Sequence, residues 1–275
     1  VVEGFLSGMH RSPYFGQSVE FRQHREYAAG DDLRHVDWKV WARQDRLYVK
    51  QFEEDTNLRA TLLVDVSNSM RYGNGAMSKY EYGCTVAASL AYMVLKQNDA
   101  IGCVSFDDSL RRNVPYRTRQ THLLSVVEAL SVSEPQDKTE IYSILRGVAE
   151  SHPRRGLMIL ISDLLADPAA TLKGLRLLRQ RGHDVLVFHV MDDDELEFPF
   201  NGPVRFEGLE SDATLTCNPR ALREGYLEAL QEFLDEMRHT CAQNTIDYQL
   251  VRTSAPLDAV LAKFLSNRLG MQNRN

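Results

Sequence analysis

The segment Asp65-Val66-Ser67-Asn68-Ser69 sets one carboxylate and two hydroxyls at alternate positions directly after an apolar run. All three are hard oxygen donors, and alternate positions of a tight loop can point the same way. Magnesium takes near-octahedral oxygen ligands at about 2.0–2.1 Å and keeps several waters, so three protein donors begin a coordination sphere without filling it. Thr139, at an expected loop-to-helix junction, and Asp163, ending a second apolar run, can reach the same edge. Taken singly, each residue also has an ordinary role. Ser67 and Ser69 suit a turn, Thr139 an N-cap and Asp163 a capping or solvated loop acid.

The elements that must position these groups are legible. Arg59–Asp65 and Leu157–Ser162 carry continuous rather than alternating apolar residues, the pattern of strands covered on both faces. Ala100–Phe106, Asp184–Val190 and Ile246–Val251 read as further strands, and Leu110–Tyr116 as an edge strand because Pro115 and nearby arginines suit a sheet centre poorly. Ser78-Lys-Tyr-Glu81 fits a capping box opening a helix to about residue 97. Helices are also expected over 120–130, 140–151, 168–181, 219–243 and 257–269, with a hairpin or irregular strands over 195–217. Strands joined by helical crossovers predict an α/β fold, a mainly parallel central sheet flanked by helices on both faces. Ligands of such sheets bind beyond the carboxyl ends of the strands, where Asp65 and Asp163 fall.

These residues resemble the metal-ion-dependent adhesion site of von Willebrand factor A domains: Asp65-x-Ser67-x-Ser69, then Thr139, then Asp163, in family order on a matching strand–helix succession. Upstream, Glu20-Phe21, Arg25-Glu26-Tyr27, Gly30-Asp31-Asp32-Leu33-Arg34, Val36-Asp37-Trp38-Lys39, Ala42-Arg43 and Leu47 to Glu53 are similar to the signature of the bacterial domain-of-unknown-function family 58. The similarity runs to about residue 268 and includes Glu197-Phe198-Pro199-Phe200 and Gly202-Pro203. Asn68 stands where many relatives have Gly, and Asp137-Lys138 precede Thr139 where Gly is common; neither removes a donor. The resemblance implies a Rossmann-like A-type domain over 59–270, preceded by a family-signature segment over 1–58 packed on it. Family members often carry a further N-terminal helical stretch. The resemblance also implies a magnesium (or manganese) ion held by Asp65, Ser67, Ser69, Thr139 and Asp163, with an open position that a partner carboxylate completes. Its implied partner is a MoxR-type AAA+ ATPase or the client that ATPase remodels, in chaperone-like assembly without catalytic turnover.

Composition narrows the alternatives. The chain has 275 residues with 32 Lys and Arg against 38 Asp and Glu, a formal charge of -6, which disfavours a general nucleic-acid binder. No run approaches the ~18 apolar residues of a membrane span. No basic region followed by an apolar one suggests a signal peptide, and four scattered cysteines read as reduced thiols, so the expected location is cytoplasmic. A magnesium-dependent phosphohydrolase would need a second Asp two positions after the first as acid or base, and Ser67 stands there. The alternatives are that phosphohydrolase or a scaffold protein with an unoccupied metal site. Asp192-Asp193-Asp194-Glu195 and Asp107-Asp108 are expected to be solvated acidic loops, since consecutive side chains splay apart. Residues 20–55 hold seven Lys or Arg, nine Asp or Glu and both tryptophans. They suit an ion-paired collar or a docking surface anchored by Arg34, Trp38, Trp41 and Arg43.

Overall fold

The computed structural model describes residues 19–27, 37–38, 40–41, 47–54, 58–131, 141–165, 167–202, 204–209 and 214–262. Thr139, Arg34 and Arg43 lie outside them, as does the end of the expected last helix, which is described only over 257–262. The chain divides into two compact units, Met9–Asn57 and the chain from Leu58 onward.

In the first unit, β1 (Val19–Glu26) pairs antiparallel with β2 (Tyr48–Glu54), with a register shift between Phe21 and Gln23. The buried Asp37 opens a helical turn, its carbonyl accepting from the amides of Val40 and Trp41 at 3.1 Å each. Trp38 and Trp41 stand on that turn, 55% and 43% exposed, with rings edge to face 6.1 Å apart.

The second unit is built on a six-stranded sheet. Its strands are β3 (Arg59–Asp65), β4 (Ala100–Phe106), β5 (Leu110–Arg117), β6 (Leu157–Ser162), β7 (Asp184–Met191) and β10 (Asp247–Arg252), in spatial order β10-β7-β6-β3-β4-β5. All neighbours pair parallel except β5, which returns antiparallel along the edge of β4. Its exposed residues and Pro115 are tolerable there because an edge strand needs only one set of ladder bonds. From β3 the chain moves outward to β4, then crosses to β6 on the other side. The order therefore reverses between β3 and β6, and the loops leaving their carboxyl ends diverge around a crevice.

Both faces of the sheet are covered. On one, α3 (Ile141–Ser151), α4 (Pro168–Gln180) and α6 (Pro219–Gln243) bury Leu145, Leu175 and Met237 against Leu63, Leu160 and Val187. On the other lie α1 (Lys79–Lys96) and α2 (His122–Leu130). A methyl group at Gly83 of α1 would come within 3.2 Å of the Ile161 side chain of β6, so this helix sits close on the sheet. Gly174 of α4 lets that helix approach α3: a Cβ there would meet Leu145 Cδ1 at 2.6 Å. Gly174→Ala is expected to cost about 1–3 kcal/mol by overpacking, read as a lowered urea midpoint at unchanged m-value.

The 195–217 region is more ordered than its sequence pattern suggests. A short helix α5 (Asp193–Glu197) comes first, and β8 (Val204–Glu207) and β9 (Thr214–Cys217) then form the expected hairpin.

Candidate functional site

At the switch point the chain leaves β3 at Asp65, whose buried carboxylate is fixed from two sides. The Ser67 amide donates to Oδ1 at 2.9 Å and the Ser162 hydroxyl, at the end of β6, donates to Oδ2 at 2.6 Å. The first bond bends the loop so that Ser67 and Ser69 turn the same way, with their Oγ atoms 3.0 Å apart. A 3₁₀ turn over Ser69–Arg71 follows. Asp65, Ser67 and Ser69 thus converge, and Asp163 joins them at the end of β6. Beyond it, Leu164 adopts a positive φ of 54°, a costly conformation for a branched side chain. Its amide is bonded to the Ser162 hydroxyl at 3.0 Å.

One charged group at this edge was not anticipated. Lys79 is the first residue of α1, held there by the capping box in which Ser78 Oγ accepts from the Glu81 amide and Glu81 returns a bond to the Ser78 amide. Its side chain runs inward and is wholly buried, with Nζ 2.8 Å from Asp163 Oδ2 and 2.6 Å from Glu195 Oε1. Burial alone would lower the lysine's pKa; the two carboxylates outweigh it and hold the ammonium above its ordinary range. The carboxyl of Glu195 is pushed up by its own burial, which the bond to Lys79 only partly offsets.

The acidic run is therefore not the solvated loop its composition suggested. Asp192 is buried and caps α5, accepting from the Asp194 amide at 3.0 Å, while Glu195 Oε2 accepts from the Asp192 amide at 2.9 Å. Consecutive acids do splay, but a capping box gives two of them structural bonds and aims Glu195 at Lys79. Asp107 corrects the same reading: it is buried, with Arg111 Nε 2.6 Å from Oδ2, while Asp108 is exposed.

Electrostatics at the crevice are unbalanced. Asp65, Asp163 and Glu195 bring three carboxylates and Lys79 one ammonium, leaving two negative charges when all are ionised. Burial, then the facing charge of Asp163, push the Asp65 carboxyl up to about 7. His189 of β7 lies in the same buried layer and shares a hydrogen bond with the Tyr248 hydroxyl at 2.6 Å. Burial presses its pKa down to about 4. The stability contributed by neutral His189 is complete above its unfolded value of about 6.5 and is lost as pH falls toward 4, about 3 kcal/mol in all. Asp65 has the opposite sign, because ionising it costs stability as pH rises from about 4 to 7. Comparing wild type with His189→Gln isolates the histidine. Their difference in unfolding free energy is expected to change by about 3 kcal/mol between pH 7 and pH 4, measured by urea denaturation; a constant difference would contradict it.

The donor set fits a hard cation. Adjacent oxygens of an octahedron with bonds of about 2.0–2.1 Å lie about 3 Å apart, the spacing of Ser67 Oγ and Ser69 Oγ. His, Cys, Asp and Glu alone form no metal-holding group of three or more among the described residues, so the set rests on hydroxyls beside one carboxylate. Asp163 is engaged by Lys79, which makes it a supporting acid. A cavity of about 410 Å³ opens beside Ser69, with Tyr72, Phe198, Phe200, Phe206 and Tyr226 in its walls.

Comparison with known proteins agrees with this architecture. A family described as "Protein of unknown function DUF58" matches residues 23–233. An uncharacterized protein of Mycobacterium bovis is 26% identical over 272 residues, covering 97% of this chain and 85% of its own. The crystal structure of an aerotolerance-related membrane protein from Bacteroides fragilis superposes with a TM-score of 0.50 at 14% identity, over 78% of this chain and 99% of that one. The SpRpn10 VWA domain gives a TM-score of 0.45 at 12% identity, over 77% of this chain and 95% of its own. The α/β fold, a mainly parallel sheet covered by helices on both faces, is shared with the Bacteroides fragilis structure. No helix among the described residues is long and apolar enough to cross a membrane.

Proposed function

Because the chain belongs to the DUF58 family, we propose that it is a non-enzymatic protein-interaction module that binds a partner carboxylate through a divalent cation at the β3–β6 crevice. The observation that carries this reading is the convergence of Asp65, Ser67 and Ser69 at the switch point, in a buried cluster whose three carboxyl groups face one ammonium among the described residues. Asp65, Ser67 and Ser69 would hold the ion, magnesium or manganese, with Asp163 in support and Thr139 as the further donor that the adhesion-site pattern supplies. When bound, the ion supplies a residual positive charge that favours one more anionic oxygen, because most of its protein ligands are neutral. The chain's own residues do the rest. The Ser67 amide and the Ser162 hydroxyl orient Asp65, Lys79 keeps Asp163 and Glu195 in place, and the aromatic wall beside Ser69 offers apolar contact to the partner's flanking residues.

The partner we favour is a MoxR-type AAA+ ATPase or its client, a choice that rests on the family resemblance. A cytoplasmic location suits both that partner and the thiols, of which Cys103 and Cys241 are buried and pushed up to about 12. Calorimetry with magnesium and with manganese tests the metal step, with binding expected for wild type and lost on Ser67→Ala/Ser69→Ala. Phosphate release from a generic phosphoester that depended on Asp65 would instead support hydrolysis. A second reading is favoured by the contact of Lys79 with Asp163. In it the ammonium is the resident cation and the domain is a metal-free scaffold; a null calorimetric result in wild type would select it.

A further inference from the structure

At the end of the sheet opposite Asp65, the starts of β3 and β4, the end of β5 and the first turn of α2 enclose a cavity of about 690 Å³. Arg59, Arg117 and Arg119 line it, together with the hydroxyls of Thr118, Thr121 and Ser125. No acidic residue is in its wall among the described residues. None of the three guanidinium groups pairs with a carboxylate among the described residues; Arg59 lies over the Tyr116 ring at 5.8 Å. In a chain whose net charge is -6, three adjacent arginines with no counter-charge among the described residues need an explanation.

His122 also lines the cavity, though its Nε2 is buried away from it. A further observation points to a ligand. Thr121, at the N-cap of α2, makes no side-chain capping bond, so its hydroxyl is not used by the helix. The first amides of α2 are already engaged by the carbonyls of Arg119, Gln120 and Thr121. Side chains, aided by the positive end of the helix dipole, therefore supply the binding groups.

Permanent guanidinium charges with forked donors, flanked by hydroxyls, match the oxygens of a phosphate group. The cavity is much larger than one phosphate ion and falls in the range of about 300–1,000 Å³ that holds small-molecule ligands. Its concave form and the acidic chain around it suit a small anion better than an extended polyanion. We propose that this cavity binds a phosphorylated small molecule, gripped at its phosphate or diphosphate by Arg59, Arg117 and Arg119. Six residue steps of β3 separate Arg59 from Asp65, roughly 20 Å, so the ligand does not touch the candidate metal site.

Titration with inorganic pyrophosphate and, separately, ADP, at matched ionic strength and followed by calorimetry, tests this. Wild type is expected to bind at least one of the two at millimolar concentrations or below. Arg117→Gln/Arg119→Gln is expected to weaken that binding by roughly tenfold or more. Both arginines are exposed and make no ion pair among the described residues, so the melting temperature should be kept; Arg119→Gln alone serves if it is not. Arg220→Gln, which removes one positive charge from α6 outside the cavity, should leave binding unchanged. ADP binding more tightly than pyrophosphate would identify a nucleotide-like ligand, and equal affinity a bare diphosphate; both support the site. No binding of either probe to wild type would overturn it. So would equal weakening by Arg220→Gln, or binding confined to a single-stranded oligonucleotide.

Discussion

Replacing Lys79 with Met is expected to cost about 3–5 kcal/mol of folding stability in metal-free buffer, the range for removing one partner of a buried ion pair. The side chain is fully buried, and its ammonium touches two carboxylates, Asp163 and Glu195. Met keeps the volume but leaves both acids and Asp65 in the crevice without a cation among the described residues. The loss should shrink when Asp163→Asn is added, because the amide no longer needs a counter-charge. Magnesium should restore more stability to Lys79→Met than to wild type, since the ion then meets a more negative site. Urea denaturation of the two single variants, the double variant and wild type, in chelator and in magnesium, measures these differences. A loss below about 1 kcal/mol in chelator would place Lys79 among ordinary surface pairs and contradict its assigned role.

The second large effect concerns Asp65. Asp65→Ala is expected to weaken magnesium binding by roughly a hundredfold or more, because it removes the charged member of a set whose other close donors are neutral hydroxyls. Stability in chelator should not fall in parallel. Burial and Asp163 penalise the ionised Asp65 carboxylate, so above about pH 7 the metal-free protein gains by losing it. The same shift sets the pH dependence of metal binding. A ligating carboxylate must be ionised, so the affinity of wild type should fall as pH drops below about 7, and each binding event should release protons. Calorimetry in buffers of different ionisation enthalpy reads both quantities.

Much of this architecture is legible in the amino-acid sequence. Continuous apolar runs in β3 and β6 identify strands covered on both faces, and Pro115 marks β5 as an edge. Ser78 and Glu81 announce the start of α1. Asp65, Ser67, Ser69 and Asp163 could be brought to one crevice because parallel strands in this order open at their carboxyl ends. Lys79 was not legible. A lysine in the first turn of a helix ordinarily faces water, and its partners stand 84 and 116 residues away in sequence. Glu195 was hidden for a related reason. Four consecutive acids look solvated, and only the capping of α5 by Asp192 turns one of them inward. The cavity at Arg59, Arg117 and Arg119 depends on β5 returning antiparallel, which brings a strand's end beside the starts of two others.

Metal-bridged capture of a partner is tested most directly by pull-down of a purified MoxR-type AAA+ ATPase, the proposed partner. Wild type and Asp65→Ala are compared in magnesium and in chelator, with circular dichroism verifying that the variant is folded. Capture by wild type in magnesium alone, lost in chelator and lost in Asp65→Ala, is the expected result. Equal capture in chelator, or by the folded Asp65→Ala protein, would contradict it.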